Sequence, residues 1–256
     1  MSTADGIPAV PAATAPPLSE VERLVNMFFA PSKTFADLKR KTTWATWIAP
    51  FLLTAIIGLG YVVTVNKKVT FEQVARNNIS LSPKAQAQLE KLPAEQQARQ
   101  MEISVKATRI FSFAFPVFSL IFLTIIAAVL MATFNFGVGA ELNFKTSLAV
   151  VLYSSVPGIV KSILAIVSLW AGSDPEGFVI QNPVATNPGY FLNPADSTFL
   201  YSLASALDVV QIWVLVVTAI GFAAVSKMKR GTTMAVVFGW YVVFTLIGAG
   251  MGALFS

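Results

Sequence analysis

Two residues stand out for chemistry, Lys161 and Asp208. Each sits inside a long apolar stretch, where charge is costly and marks a partner, a pathway or snorkelling to the interface. A lysine and an aspartate at matching depth can form an ion pair, act independently, or pass a proton or ion. Other chemistry is thinly represented. The chain has no histidine and no cysteine, which removes imidazole or thiolate metal sites, thiol nucleophiles and histidine-based triads. It has no phosphate-binding Walker loop, no Gly-x-Ser-x-Gly, no paired metal-site helix motif and no carboxylate dyad within an apolar stretch. The expectation is a protein that is not an enzyme, with no catalytic residues, no metal site and no cofactor.

The elements that must position these two charges are long and apolar. The 256 residues are 55% hydrophobic and only 12% charged, with a mean hydropathy of +0.68. A soluble domain carries about 25% charge, so a soluble enzyme, a nucleic-acid module and a disordered chain are all excluded. Five apolar runs, at 44–65, 110–134, 147–170, 204–225 and 234–255, each reach the roughly 20 residues that a bilayer-spanning helix needs. The expected fold is all-α: a polytopic transmembrane bundle of five helices, occupying 42–256, with N-terminal interfacial amphipathic helices and a helical first extramembrane loop.

Residues 1–18 are rich in alanine and proline and read as a disordered tail, without the basic and apolar regions of a signal peptide. Order is expected from Ser19, which stands three residues before Glu22 in capping-box spacing. Val21, Leu24, Val25 and Phe28 then follow at helical spacing, Pro31 interrupts, and Phe35 and Leu38 mark a second short helix. These cytoplasmic amphipathic helices, 19–41, suit the membrane interface, although the same face can pack on the protein's own helices. Phe28, Pro31, Phe35 and Leu38 are the residues expected to meet the membrane interface or a partner.

Loop charge sets the orientation. The segment 226–233 carries Lys227, Lys229 and Arg230, whereas 172–203 has no lysine or arginine. The expectation is a cytoplasmic N-terminus and an outer C-terminus. The loop 66–109 runs against this, because it would be outside and holds eight basic residues. Its capping pairs, Thr70 with Gln73 and Ser82 before Pro83, point to about three short helices. In the third loop, Asn182-Pro183, Asn187-Pro188 and Asn193-Pro194 are turn-forming pairs, consistent with a plain loop or a cap folded onto the bundle. Pro116 and Pro157 are expected to kink the second and third spans. Gly248 and Gly252 form a small-residue pair suited to close helix packing, within the chain or between two copies.

The run Phe28-Phe29-Ala30-Pro31-Ser32-Lys33-Thr34-Phe35-Ala36-Asp37-Leu38 precedes a first span containing Trp and Pro, and Tyr153-Ser154-Ser155-Val156-Pro157 lies in the third. With five spans in a chain of this size, the sequence resembles the Yip family of integral membrane proteins, in its bacterial branch. The resemblance implies a five-helix membrane domain with a cytoplasmic N-terminus, in the bacterial inner membrane. Eukaryotic relatives bind prenylated Rab-type GTPases and shape membranes. Their Asp-Leu-Tyr-Gly-Pro motif is absent here, which leaves Rab-type GTPase binding in doubt. The functional expectation is non-enzymatic membrane organisation or scaffolding, with the lipid bilayer and other membrane or cytoplasmic proteins as partners and no nucleic acid. The alternative is a small permease or channel component using Pro157, Lys161 and Asp208.

Overall fold

The computed structural model describes residues 16–255, so most of the expected N-terminal tail lies outside the described residues. Every regular element among them is helical. In chain order these are α1 (Glu20–Phe29), α2 (Pro31–Arg40), α3 (Ile48–Lys68), α4 (Phe71–Ser80), α5 (Pro83–Glu90), α6 (Ala94–Phe113), α7 (Phe115–Ala132), α8 (Phe144–Ser154), α9 (Ile159–Trp170), α10 (Thr198–Ala206), α11 (Val209–Ser226) and α12 (Arg230–Phe255). Five stretches are long and apolar enough to cross a membrane: Trp44–Lys68, Phe115–Gly137, Phe144–Trp170, Val209–Ser226 and Arg230–Leu254. The chain is an all-α, multi-pass bundle.

Helix α8 is its central staff. Ser147 to Ser154 are buried on every side, as expected of a helix apolar around its whole circumference. It packs against α7, α11 and α2. Phe134 and Phe222 stack at 4.8 Å within the same core.

Helices α1 and α2 form an antiparallel hairpin set into one end of this bundle. Ser19 and Glu22 make the expected capping box. Phe35 and Leu38 are 0% exposed, packed in the core with α8 and α11. The interface reading of Phe35 and Leu38 is therefore corrected. Helical periodicity shows that a face is apolar, not what covers it, and here Gly221 lets α2 approach. A Cβ on Gly221 would stand 2.6 Å from Val150 and 2.8 Å from Phe35. Phe28 is half-buried, its ring 5.8 Å from that of Trp213 in an edge-on contact, and Pro31 is half-buried as the first residue of α2. The apolar stripe left facing outward is Val21, Val25 and Phe29, with Phe29 83% exposed.

The hairpin reaches deep. Lys39 Nζ donates to the Ala224 carbonyl at 3.0 Å, whereas Phe28 meets Trp213. Those α11 residues are roughly 16 Å apart along the helix axis, about half of a ~30 Å hydrocarbon core. Lys39 of the hairpin and the Ser226-to-Arg230 connection share one end of the bundle, the hairpin end.

Residues 171–197 cover the opposite, loop end. Tyr61 Oη donates to the Ile180 carbonyl at 2.8 Å, and Asn77 Nδ2 to the carbonyls of Pro175 at 2.9 Å and Phe178 at 3.0 Å. Of the two open readings of this loop, the structure has the fold-back. The first loop is helical, as α4, α5 and α6, and α4 docks on the bundle through Phe71, Val74 and Asn77.

Candidate functional site: a polar node at a helix break

The fourth span is not continuous from 204, as expected, but breaks before Asp208. Helix α10 ends at Ala206, and α11 starts at Val209 with Asp208 as its N-cap. The reason is local: an aspartate side chain accepts from the free N–H groups of a first turn, so it starts a helix better than it continues one. Asp208 Oδ1 accepts from Val210 N at 2.9 Å and Gln211 N at 3.2 Å. Oδ2 accepts from Lys161 Nζ at 2.7 Å, Thr186 Oγ1 at 2.7 Å and Asn187 Nδ2 at 3.3 Å. The structure thus brings Lys161 and Asp208 together.

The loop end supplies the rest of this node. Asn182 and Asn187 exchange amide hydrogen bonds at 3.2 and 2.7 Å. The Thr186 carbonyl accepts from Val209 N at 3.0 Å. Gly189 lies so close to Ser205 that a Cβ there would meet its backbone nitrogen at 2.6 Å. Tyr241 Oη, from α12, donates to the Ala206 carbonyl at 2.8 Å. Non-helical backbone beside apolar helices is tolerated where protein groups satisfy it, and these bonds do so. The sequence marked the Asn-Pro pairs as turns. It gave no sign that the asparagine amides would serve Asp208.

The third span changes character beside this node. A short 3₁₀ turn, Val156–Gly158, replaces the α-helix between α8 and α9, and Pro157 is buried in it. Pro157 removes a backbone donor there, which ends the regular ladder. Lys161 follows two residues into α9, its side chain 28% exposed beside an Asp208 side chain only 4% exposed. Two cavities meet at Gly158 and Lys161. One, of about 510 Å³, lies among α7, α8, α11 and α12; the other, about 390 Å³, lies among α3, the end of α6, the start of α7, α9 and the 180–183 loop.

The remaining singled-out residues sit elsewhere. Pro116 does not kink a span from within. The second apolar helix breaks at Ala114, and Pro116 stands in the first turn of α7, where a missing N–H costs nothing. Gly252 packs near Thr198 of α10, at 3.3 Å from a Cβ built on it, whereas Gly248 has no neighbour within 4 Å. The two glycines therefore do not share one packed face within the chain.

A second buried cluster was not legible in the sequence. Arg23 is 8% exposed and Asp37 is 7% exposed, and Asp37 Oδ2 accepts from Arg23 Nε at 2.8 Å and Nη2 at 2.6 Å. Glu20 joins Arg23 at 2.5 Å and also accepts from Tyr153 Oη on α8. Thr34 Oγ1 donates to the Arg23 carbonyl at 3.0 Å. Fourteen residues separate Arg23 from Asp37, on different helices, so no spacing rule links them. This network ties the hairpin to itself and to the central helix.

Among the described residues no group of three or more Asp, Glu, His or Cys could hold a metal ion. Asp208 spends both oxygens on fixed donors.

Comparison with known proteins adds one match: the family described as the Yip1 domain fits residues 25–252, nearly the whole chain. No curated protein and no solved structure matches it.

Proposed function

From the premise that this chain belongs to the Yip1 domain family, we propose that it is a non-enzymatic membrane organiser that scaffolds partners through its cytoplasmic face. The observation that carries this reading is the state of its buried charge. Lys161 and Asp208 are joined at 2.7 Å, and Asp208 is further held by Thr186, Asn187 and the first turn of α11. A group that carries a proton or ion must exchange partners, and Asp208 has none to spare. The larger cavity beside it is walled mostly by apolar side chains such as Leu123, Ile126 and Val214.

The surface offered to partners is the outward face at the shallow start of α1, Val21 and Val25, displayed by a hairpin that is itself locked into the bundle; Phe29 lies beside Phe28 at its deep tip. The orientation rests on the short basic connection, with the eight basic residues of 66–109 against it. Lys39 lies with Lys227, Lys229 and Arg230 at the hairpin end, and α12 ends at the other, which suits a cytoplasmic hairpin end and an outer C-terminus in a bacterial inner membrane. A C-terminal periplasmic reporter is expected to be active, and an inactive one beside an active cytoplasmic reporter overturns the orientation. Rab-type GTPase binding has no supporting motif here.

A small permease is the competing reading, favoured by the meeting of both cavities at Lys161. The chain is naturally free of cysteine, so single cysteines at Ser155, Ser162 and Val214 report water directly. The scaffold reading predicts little labelling by a membrane-impermeant maleimide at all three. Ready labelling from the aqueous side means a hydrated path and overturns it.

A further inference from the structure

We propose that the 510 Å³ cavity is a lateral binding site for one glycerophospholipid, with an acyl chain between α7 and α12 and its phosphodiester oxygens on Lys161 and Gln211. Its walls sort by chemistry along the bundle axis. The polar side chains Lys161, Asp208, Gln211, Tyr241 and Thr245 gather in the part nearest the loop end, with Val210 and Phe244 among them, whereas Ile126, Leu130, Val151 and Val237 line the part nearest the hairpin end. The polar groups among the apolar ones are already spent: Ser155 Oγ donates to Leu152 O at 2.8 Å, and Thr218 Oγ1 to Val214 O at 2.8 Å. A lipid presents the same order, an acceptor-rich head and an apolar tail.

The mouth opens sideways. Helix α7 packs along α8 and α3, and α12 along α10 and α11. A bond from Trp240 Nε1 to Thr133 Oγ1, at 2.9 Å, joins the two rims towards the hairpin end. Beyond it, Phe122 on the α7 rim is 57% exposed. An apolar rim facing the membrane admits a lipid and rejects a free phosphate ion.

Charge matches the head group. Lys161 donates to Asp208 and keeps two further ammonium donors, and among the described residues the Gln211 side-chain amide has no partner. Asp208 is compensated by Thr186, Asn187 and the positive end of α11 as well as by Lys161. Lys161 therefore retains attraction for a phosphodiester at a site already 28% open. This site does not depend on the scaffold reading, because a bound lipid suits either function.

The test is photocrosslinking of the full chain in phosphatidylcholine nanodiscs carrying a small fraction of phosphatidylglycerol with a photoreactive acyl chain. Adducts are expected on Ile126, Val214 and Val237, in excess over the outward-facing Val242 and Leu246. Ile126→Trp fills the apolar part without touching the ion pair and should remove the cleft adducts while leaving those at Leu246. Lys161→Met should lower them about tenfold, the scale of a lost charge-assisted hydrogen bond. Photoreactive diacylglycerol, which has no phosphate, should label the wild-type cleft weakly, a comparison that stands even if Lys161→Met does not fold. Adducts spread evenly over all membrane-facing side chains, or undiminished cleft adducts in Ile126→Trp, overturn the site. Equal cleft labelling by diacylglycerol overturns the phosphodiester contact.

Discussion

At the scale of single residues, Asp208 does more than pair with Lys161. It starts α11, anchors Thr186 and Asn187, and faces Lys161, so its loss removes a helix cap and leaves a cation without its counter-charge. Asp208→Ala should cost about 3 kcal/mol, the low end for breaking a buried pair because Lys161 is partly open to its surroundings. Lys161→Met should cost less, since four of the five donors to Asp208 remain. Thermal unfolding in detergent ranks the two variants, and the reverse order would show that the lysine is the organising residue. The sequence revealed both charges by their rarity in apolar runs. It could not reveal their supporting amides, because asparagine before proline is ordinary turn chemistry wherever it occurs.

At the scale of elements, close approach of backbone decides what packs. Gly189 presses against Ser205 at the break between α10 and α11. Gly189→Ala puts a methyl group within contact of Ser205 backbone, which cannot move like a side-chain tip, so the 182–189 segment must lift away. The expected result is a lower unfolding midpoint together with faster maleimide labelling of a cysteine at Thr186; unchanged labelling would mean that the loop is not seated on the break. At the hairpin, the atoms facing Gly221 belong to the Val150 and Phe35 side chains in a filled core, so Gly221→Val should push the Phe35 ring aside, and a cysteine at Thr34, 0% exposed, should become reactive. Unaltered protection of that cysteine would contradict the packing of α2 on α11. Helix starts were well marked in the sequence, since Ser19, Thr70 and Ser82 each cap the helix that follows. Helix breaks were less so. Proline marked the turn at Val156–Gly158 but also suggested a kink at Pro116, where the chain only begins a helix. A proline's effect depends on its place in the helix, and length and hydropathy fix that place only to within a few residues.

At the scale of the whole molecule, five spans and a half-depth hairpin share one core. The five-span layout was readable because about 20 apolar residues in a row have few other uses. The seat of the hairpin was not readable, because an amphipathic helix has the same pattern against lipid as against a protein core. Helices α1 and α2 belong to the bundle. Two phenylalanines on the hairpin separate the alternatives. Phe35 is 0% exposed and Phe29 83% exposed. The most direct measurement is the unfolding free energy of the full chain in mild detergent with each changed to alanine. Phe35→Ala should cost about 3–5 kcal/mol, the range for truncating a buried aromatic, and Phe29→Ala should stay within about 0.5 kcal/mol of wild type. If Phe35→Ala also stays within that margin, the hairpin lies on the membrane surface and not in the core.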